Sequence, residues 1–199
     1  MNIYNKVQTP VGMKTLDIWP IISEPANAHP VYGAAINLGA AVKGHLSVTT
    51  VSASISGDDA TLVDEEFFVS GQLDTETTKS DLQVNAAIFG HTYSDTAGEE
   101  SKSGDHAPYV GVSMIEPIMC GDKSIVYRAT CFWKNSALAS SEKQEADTRK
   151  RGEFNPKMNV VSFKIVEDNT SSWRLRNDFP TEAAAKAFID KTFGAAAQG

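Results

Sequence analysis

The side chains in this sequence best suited to chemistry are His91, Asp95, Asp105 and His106, which fall at the two ends of one polar stretch. Imidazole and carboxylate groups on a loop that closes on itself can hold a metal ion, and His91 and His106 would then centre a small hydrolase or metal-binding module. Their spacing is not that of a ligand pair on a helix face, and solvated loops commonly carry these residue types. The sequence therefore favours neither a metal nor a cofactor there. The acidic set Asp58, Asp59, Asp64, Glu65 and Glu66 reads as turn and edge residues rather than an acid–base pair or a calcium loop. Trp19, Trp133, Phe67, Phe68 and Phe132 offer aromatic surface, but no Lys or Arg interleaves with them as on a base-stacking platform, so core packing is the expected role. None of the phosphate-cradle, nucleophile-elbow or H-E-x-x-H patterns occurs, and the sequence predicts no catalytic residue and no enzyme.

Composition sets the frame in which those residues sit. Of 199 residues, 41% are hydrophobic and 22% charged, enough to bury a core. A net charge of −7 argues against a surface that grips nucleic acid phosphates. Cys120 and Cys131 lack the spacing of a disulfide framework or a zinc site. The first residues carry no apolar secretory stretch and no run of 18 apolar residues occurs, which predicts a cytosolic product without membrane insertion. One domain over 1–199 is expected, with 1–32 a possible N-terminal arm and 195–199 a flexible tail.

Strands dominate the patterning, so the fold class expected is mainly β with short helices. In Ile125 to Lys134, Ile125, Tyr127, Ala129, Cys131 and Trp133 form one face expected to be buried and the other face is mixed, while Val161, Phe163 and Ile165 alternate with Ser162 and Lys164. Trp173 and Leu175 then alternate with Arg174 and Arg176, and Asp168-Asn169 reads as the hairpin turn joining the two. Leu46 and Val48 share one phase while Val51, Ala53 and Ile55 share the other, which predicts a β-bulge near Thr49-Thr50. After the Gly57-Asp58-Asp59 turn, Thr61 to Leu73 returns as partner strand. A short helix is expected from a capping box at Ser80, with Leu82, Ala86 and Phe89 inward and Gly90 as its stop. A second runs from Thr181 to Phe193, with Ala185, Phe188, Ile189 and Phe193 inward and a Glu182–Lys186 pair outside. Thr92 to His106 and Asn135 to Lys157 read as long polar loops that order only against a neighbour.

Taken in order, Ile55-Ser56-Gly57-Asp58-Asp59-Ala60, Gly71, Ile88-Phe89-Gly90-His91, Ala107-Pro108-Tyr109-Val110-Gly111-Val112, Tyr127 to Lys134 and Glu145-Ala146-Asp147-Thr148-Arg149 resemble the major tail tube proteins of long-tailed, non-contractile bacteriophages. The resemblance runs from about Gly33 to Phe193. It implies a β-sandwich or barrel-like tail tube domain with a flanking helix and a C-terminal helix, assembled into hexameric rings that stack into a virion tail tube in the host bacterial cytoplasm. The implied partners are further copies of the chain, a tape measure protein, and tail tip (initiator) and tail terminator proteins. Double-stranded DNA would pass through without specific binding.

Under that reading the hairpin from Gly44 to Leu73 carries the inter-subunit sheet contacts. Ser47, Thr49, Ser52, Ser54, Phe67 and Val69 are the candidates, and Glu65, Asp74 and Glu76 are candidates for a negative lumen. Asp95, Glu99, Glu100, Lys102, Glu142, Lys143, Glu145 and Arg149 are the inter-ring candidates on the two polar loops. Long exposed strand edges, acidity of the same sign as DNA and polar loops all suit such an assembly. The alternatives are another ring-forming tube protein, such as a secretion-system tube, or a virion β-sandwich decoration protein.

Overall fold

A computed structural model of the chain describes residues 8–57, 60–143 and 157–194. Their order is β1 (Gln8–Pro10), β2 (Thr15–Ser23), β3 (Val31–Tyr32), β4 (Ile36–Asn37), β5 (Ala41–Gly57), β6 (Ala60–Thr77), α1 (Leu82–Phe89), β7 (Thr92–Ser94), β8 (Gly98–Glu100), β9 (Tyr109–Cys120), β10 (Ile125–Ala137), β11 (Asn159–Val166), β12 (Arg174–Phe179) and α2 (Glu182–Gly194). The fold is mostly β with two short helices, as the alternating patterns require. Ten strands join in one antiparallel sheet whose main path runs β3-β2-β9-β10-β11-β6-β5, and β7 and β8 form a separate hairpin.

β10 organises the sheet. One edge pairs with β9 from Ile125↔Met119 to Ser136↔Tyr109. The other edge is divided, with β12 on Tyr127 to Phe132 and β11 on Lys134 to Ala137. The β9 ladder is interrupted between Phe132 and Asn135. There the buried Asn135 side chain donates through Nδ2 to the carbonyls of Val110 and Phe132, both at 3.0 Å, bridging β9 and β10 across the interruption. The Trp133 N–H reaches the Trp173 carbonyl at 3.3 Å, closing the gap between β11 and β12.

This arrangement corrects the hairpin expected about Asp168-Asn169, because β11 and β12 each pair with β10 and not with each other. The turn does form. The Asp168 carboxylate accepts from the N–H groups of Thr170 (2.9 Å) and Ser172 (3.0 Å), and its own N–H donates to the Ser172 carbonyl. The loop it ties leads β12 onto the next stretch of β10 instead of alongside β11.

Adjacent strand residues face opposite ways, so two cores form on the two sides of the sheet. Leu16, Ile18, Val110, Val112, Phe132, Phe163 and Ile165 bury one face with Val84, Ile88 and Phe89 of α1. Trp19, Ile115, Cys131 and Trp133 bury the other with Tyr32 and with Ala185, Ile189 and Phe193 of α2. Phe193 stacks on Trp19 at 5.0 Å and meets Tyr32 edge-on at 4.7 Å. Gly111 makes this docking possible, since a Cβ there would lie 2.6 Å from the Phe193 ring. The Trp19 indole donates to Ser113 Oγ and the Tyr32 hydroxyl to the Trp133 carbonyl, so both buried polar tips are satisfied.

Several expectations shift. The cap of α1 is Asp81, whose carboxylate accepts from Gln83 N at 2.9 Å, so the helix starts later than a Ser80 capping box would place it. Leu82 in its first turn overhangs the core and is exposed. On α2, Glu182 pairs with Lys14 at 2.5 Å, tying the helix to the segment before β2, in place of the expected Lys186 partner. Within the expected polar loop, Thr92 to Glu100 forms the β7–β8 hairpin. The described part of the possible N-terminal arm is sheet: β1 and β2 both pair with β9. Phe67 is exposed, whereas Trp19, Trp133 and Phe132 are core.

Asn135→Ala removes two buried side-chain hydrogen bonds at the β10 interruption. A loss of about 1–3 kcal/mol in unfolding free energy is expected from urea titration.

Candidate assembly interface

β5 and β6 form one long hairpin whose register shifts between Thr49 and Thr50, where the sequence phase changes. The extra residue is Val69 on β6, since Thr49 pairs Ser70 and Thr50 pairs Phe68. Only Gly71 to Thr77 of β6 is also paired with β11. Beyond Phe68 the hairpin continues as a two-stranded ribbon for on the order of 25 Å. Its root is held by Phe68, which stacks on Trp173 at 4.6 Å with the rings 3° from parallel. β5 ends the strand order, so among the described residues its outer edge is unpaired along its length.

Residues opposite each other in the ladder share a face, and this sorts the candidates. Lys43/Glu76, His45/Asp74, Ser47/Gln72, Thr49/Ser70, Val51/Phe67 and Ala53/Glu65 lie on the outer face. Thr75, Leu73, Gly71 and Phe68 point toward the core, and Ser52 opposite Glu66 follows their phase. Ser54 pairs with Asp64 in the ladder. The three lumen candidates Glu65, Asp74 and Glu76 therefore share the outer face with Ser47, Thr49 and Phe67, while Ser52 lies on the opposite side and Val69 sits at the bulge.

That outer face is polar where it crosses β11 and apolar further out. Asp74 accepts from Ser162 Oγ at 2.5 Å and Gln72 Nε2 at 2.8 Å, and these bonds hold its carboxyl below the ordinary Asp value. Glu76 lies 3.4 Å from Lys43. The face is thus mixed in charge, with its acids partly neutralised or hydrogen-bonded. Val51 (54% exposed), Phe67 (51%) and Val69 (52%) then give the start of the ribbon an exposed apolar surface.

No protein-family model matches the chain, and no curated protein matches it.

The loop candidates separate into two kinds. Asp95, Glu100 and Lys102 are exposed on or beside the β7–β8 hairpin, with Lys102 Nζ 3.2 Å from Glu100. Lys143 is also exposed, and Glu145 and Arg149 lie outside the described residues. Glu99 instead turns inward to His91, and Glu142 reaches the same imidazole. Of the histidine and carboxylate set at the ends of this stretch, His91 is thus joined by Glu99 and Glu142, while Asp105 accepts from the Lys102 N–H at 2.8 Å. Sequence spacing could not reveal this grouping, because Glu142 arrives through tertiary structure. The buried Cys131 thiol is pushed up to about 12 by desolvation, which suits a core residue.

The Asp74 pair gives the outer face a pH dependence. A carboxyl held low when folded contributes stability that is present above the unfolded Asp value, about 3.9, and lost as pH falls through the folded value. Asp74→Asn should be less stable than wild type at neutral pH, and the gap in urea midpoints should close as pH is lowered below about 4.

Proposed function

We propose that the chain is a structural subunit that assembles with copies of itself into stacked rings forming the tail tube of a long-tailed, non-contractile bacteriophage. The observation that carries this reading is the β5–β6 ribbon: a 17-residue edge strand without an outer partner among the described residues. An isolated two-stranded ribbon is marginal in water, and a long unpaired edge with exposed apolar residues invites pairing. Addition of strands from a neighbouring copy would satisfy the edge and bury Val51, Phe67 and Val69.

Repeated around a closed ring, such pairing joins the sheets of successive subunits into one continuous wall. The outer face of β11, β6 and β5 then becomes a broad surface of Ser, Thr and Gln that carries the acids Asp74 and Glu76 together with the lysines Lys43 and Lys164. On such a wall the acids offset the lysines, so no concentrated basic patch is offered to duplex DNA, which suits passage without binding. The exposed residues of the β7–β8 hairpin and the segment after β10 are free to contact the adjacent ring. The tape measure, tail tip and terminator proteins would be its partners in assembly.

Size-exclusion chromatography with negative-stain electron microscopy across a concentration series tests the reading. Rings or hollow tubes are expected from wild type, and the double variant Val51→Glu, Phe67→Glu should stay monomeric with unchanged circular dichroism, because both side chains are already exposed. Free rings that never stack would favour a secretion-type tube, and trimers a decoration protein. A strictly monomeric wild type, even with an initiator and tape measure protein added, would overturn the proposal.

A further inference from the structure

Three separately built elements converge on His91. The residue follows α1, where Gly90 adopts φ +81° and both the Gly90 and His91 N–H groups donate to the Ala86 carbonyl, at 2.8 and 3.0 Å. A Cβ at Gly90 would lie 2.1 Å from the His106 carbonyl oxygen, so the chain passes this point in one way. Glu99 comes from β8, held opposite Tyr93 of β7. Glu142 follows a 3-10 turn over Ala139–Ser141, with its N–H donating to the Ala139 carbonyl at 3.2 Å.

The imidazole is nearly enclosed, with its side chain 7% exposed. Nδ1 lies 2.8 Å from Glu99 Oε1 and 3.0 Å from Ser101 Oγ. An ionised Glu99 fixes the tautomer that carries its proton on Nδ1, which leaves the lone pair on Nε2. Nε2 faces Glu142 Oε2 at 3.7 Å, beyond hydrogen-bond reach, and has no hydrogen-bond partner among the described residues. Two ligands each about 2.1 Å from one metal ion, at an angle between tetrahedral and trigonal, stand about 3.4–3.6 Å apart. The gap between Nε2 and Glu142 is close to that separation. One ligand atom from each of the three residues lies within 4.8 Å of the others. A cavity of about 340 Å³ lies beside the cluster on the side of Glu99 and Glu142, lined also by Asn85, Asn159, Lys143 and Lys157.

We propose that His91 Nε2 and the Glu142 carboxylate bind a divalent transition-metal ion of the Zn²⁺ class, with Glu99 orienting the imidazole from its far side. A nitrogen ligand with carboxylate oxygen selects such ions over Ca²⁺ and Mg²⁺, which take oxygen sets. The carboxylate–histidine–metal order is the usual one for fixing a metal-bound imidazole. The ion would tie the segment after β10 to the end of α1 and to the β7–β8 hairpin. This inference does not depend on the tube reading.

Full-length protein, freed of metal with a chelator, is titrated with Zn²⁺ by calorimetry and with Co²⁺ by visible absorption near neutral pH. One saturable site per chain is expected, abolished by His91→Ala and by Glu142→Gln, and weakened about 10–100-fold by Glu99→Gln. Glu142 is half-exposed, so Glu142→Gln keeps the fold and remains informative if His91→Ala does not. Absence of saturable binding, or binding undiminished in the folded Glu142→Gln protein, would overturn the proposal.

Discussion

A strand inside a sheet must satisfy backbone groups on both edges, and β10 meets that requirement with three partners. β9 covers one edge, and the interruption at Phe132 to Asn135 lets β12 and β11 share the other. From this division the molecule extends two ways. β12 leads to α2, which closes the Trp19, Trp133 and Tyr32 core. β11 leads to β6 and β5, beyond the reach of α2, so their outer face stays open. The buried Asn135 amide, bridging two carbonyls across the interruption, is the local device on which both halves depend.

That open half is where the proposed assembly resides. The hairpin whose Leu73 completes the first core beside Phe163 and Ile165 of β11 runs on into a ribbon whose free edge has no partner among the described residues. Stability in the body and incompleteness at the edge therefore come from one pair of strands. Burial anchors the hairpin at Phe68 against Trp173, and its projecting end is left for a neighbour to complete.

Much of this was legible in the residue pattern. Alternation marked β11, where Val161, Phe163 and Ile165 are buried and Lys164 is exposed, and the apolar run from Ile125 marked β10 although both of its faces are covered. The register shift lies where the apolar phase of β5 changes after Val48, but its extra residue, Val69, is on β6. β2 was not legible, since Ile18 and Trp19 are both buried and a strand covered on two sides loses its alternation. The partner of β12 was hidden for a different reason: alternation tells which residues face inward but not which strand lies alongside. The grouping of His91 with Glu99 and Glu142 needed the tertiary fold to bring distant segments together. The acidic candidates Glu65, Asp74 and Glu76 did prove to share a face, but Lys43 and Ser162 beside them were not anticipated.

Hydrogen–deuterium exchange of β5, measured in dilute subunits and in assembled protein, tests the central claim most directly. If a neighbouring copy pairs with its free edge, the β5 amides that point away from β6 exchange rapidly in the dilute subunit and become strongly protected on assembly. Assemblies in which those amides remain as exchangeable as in the dilute subunit would show that the chains join through some other surface.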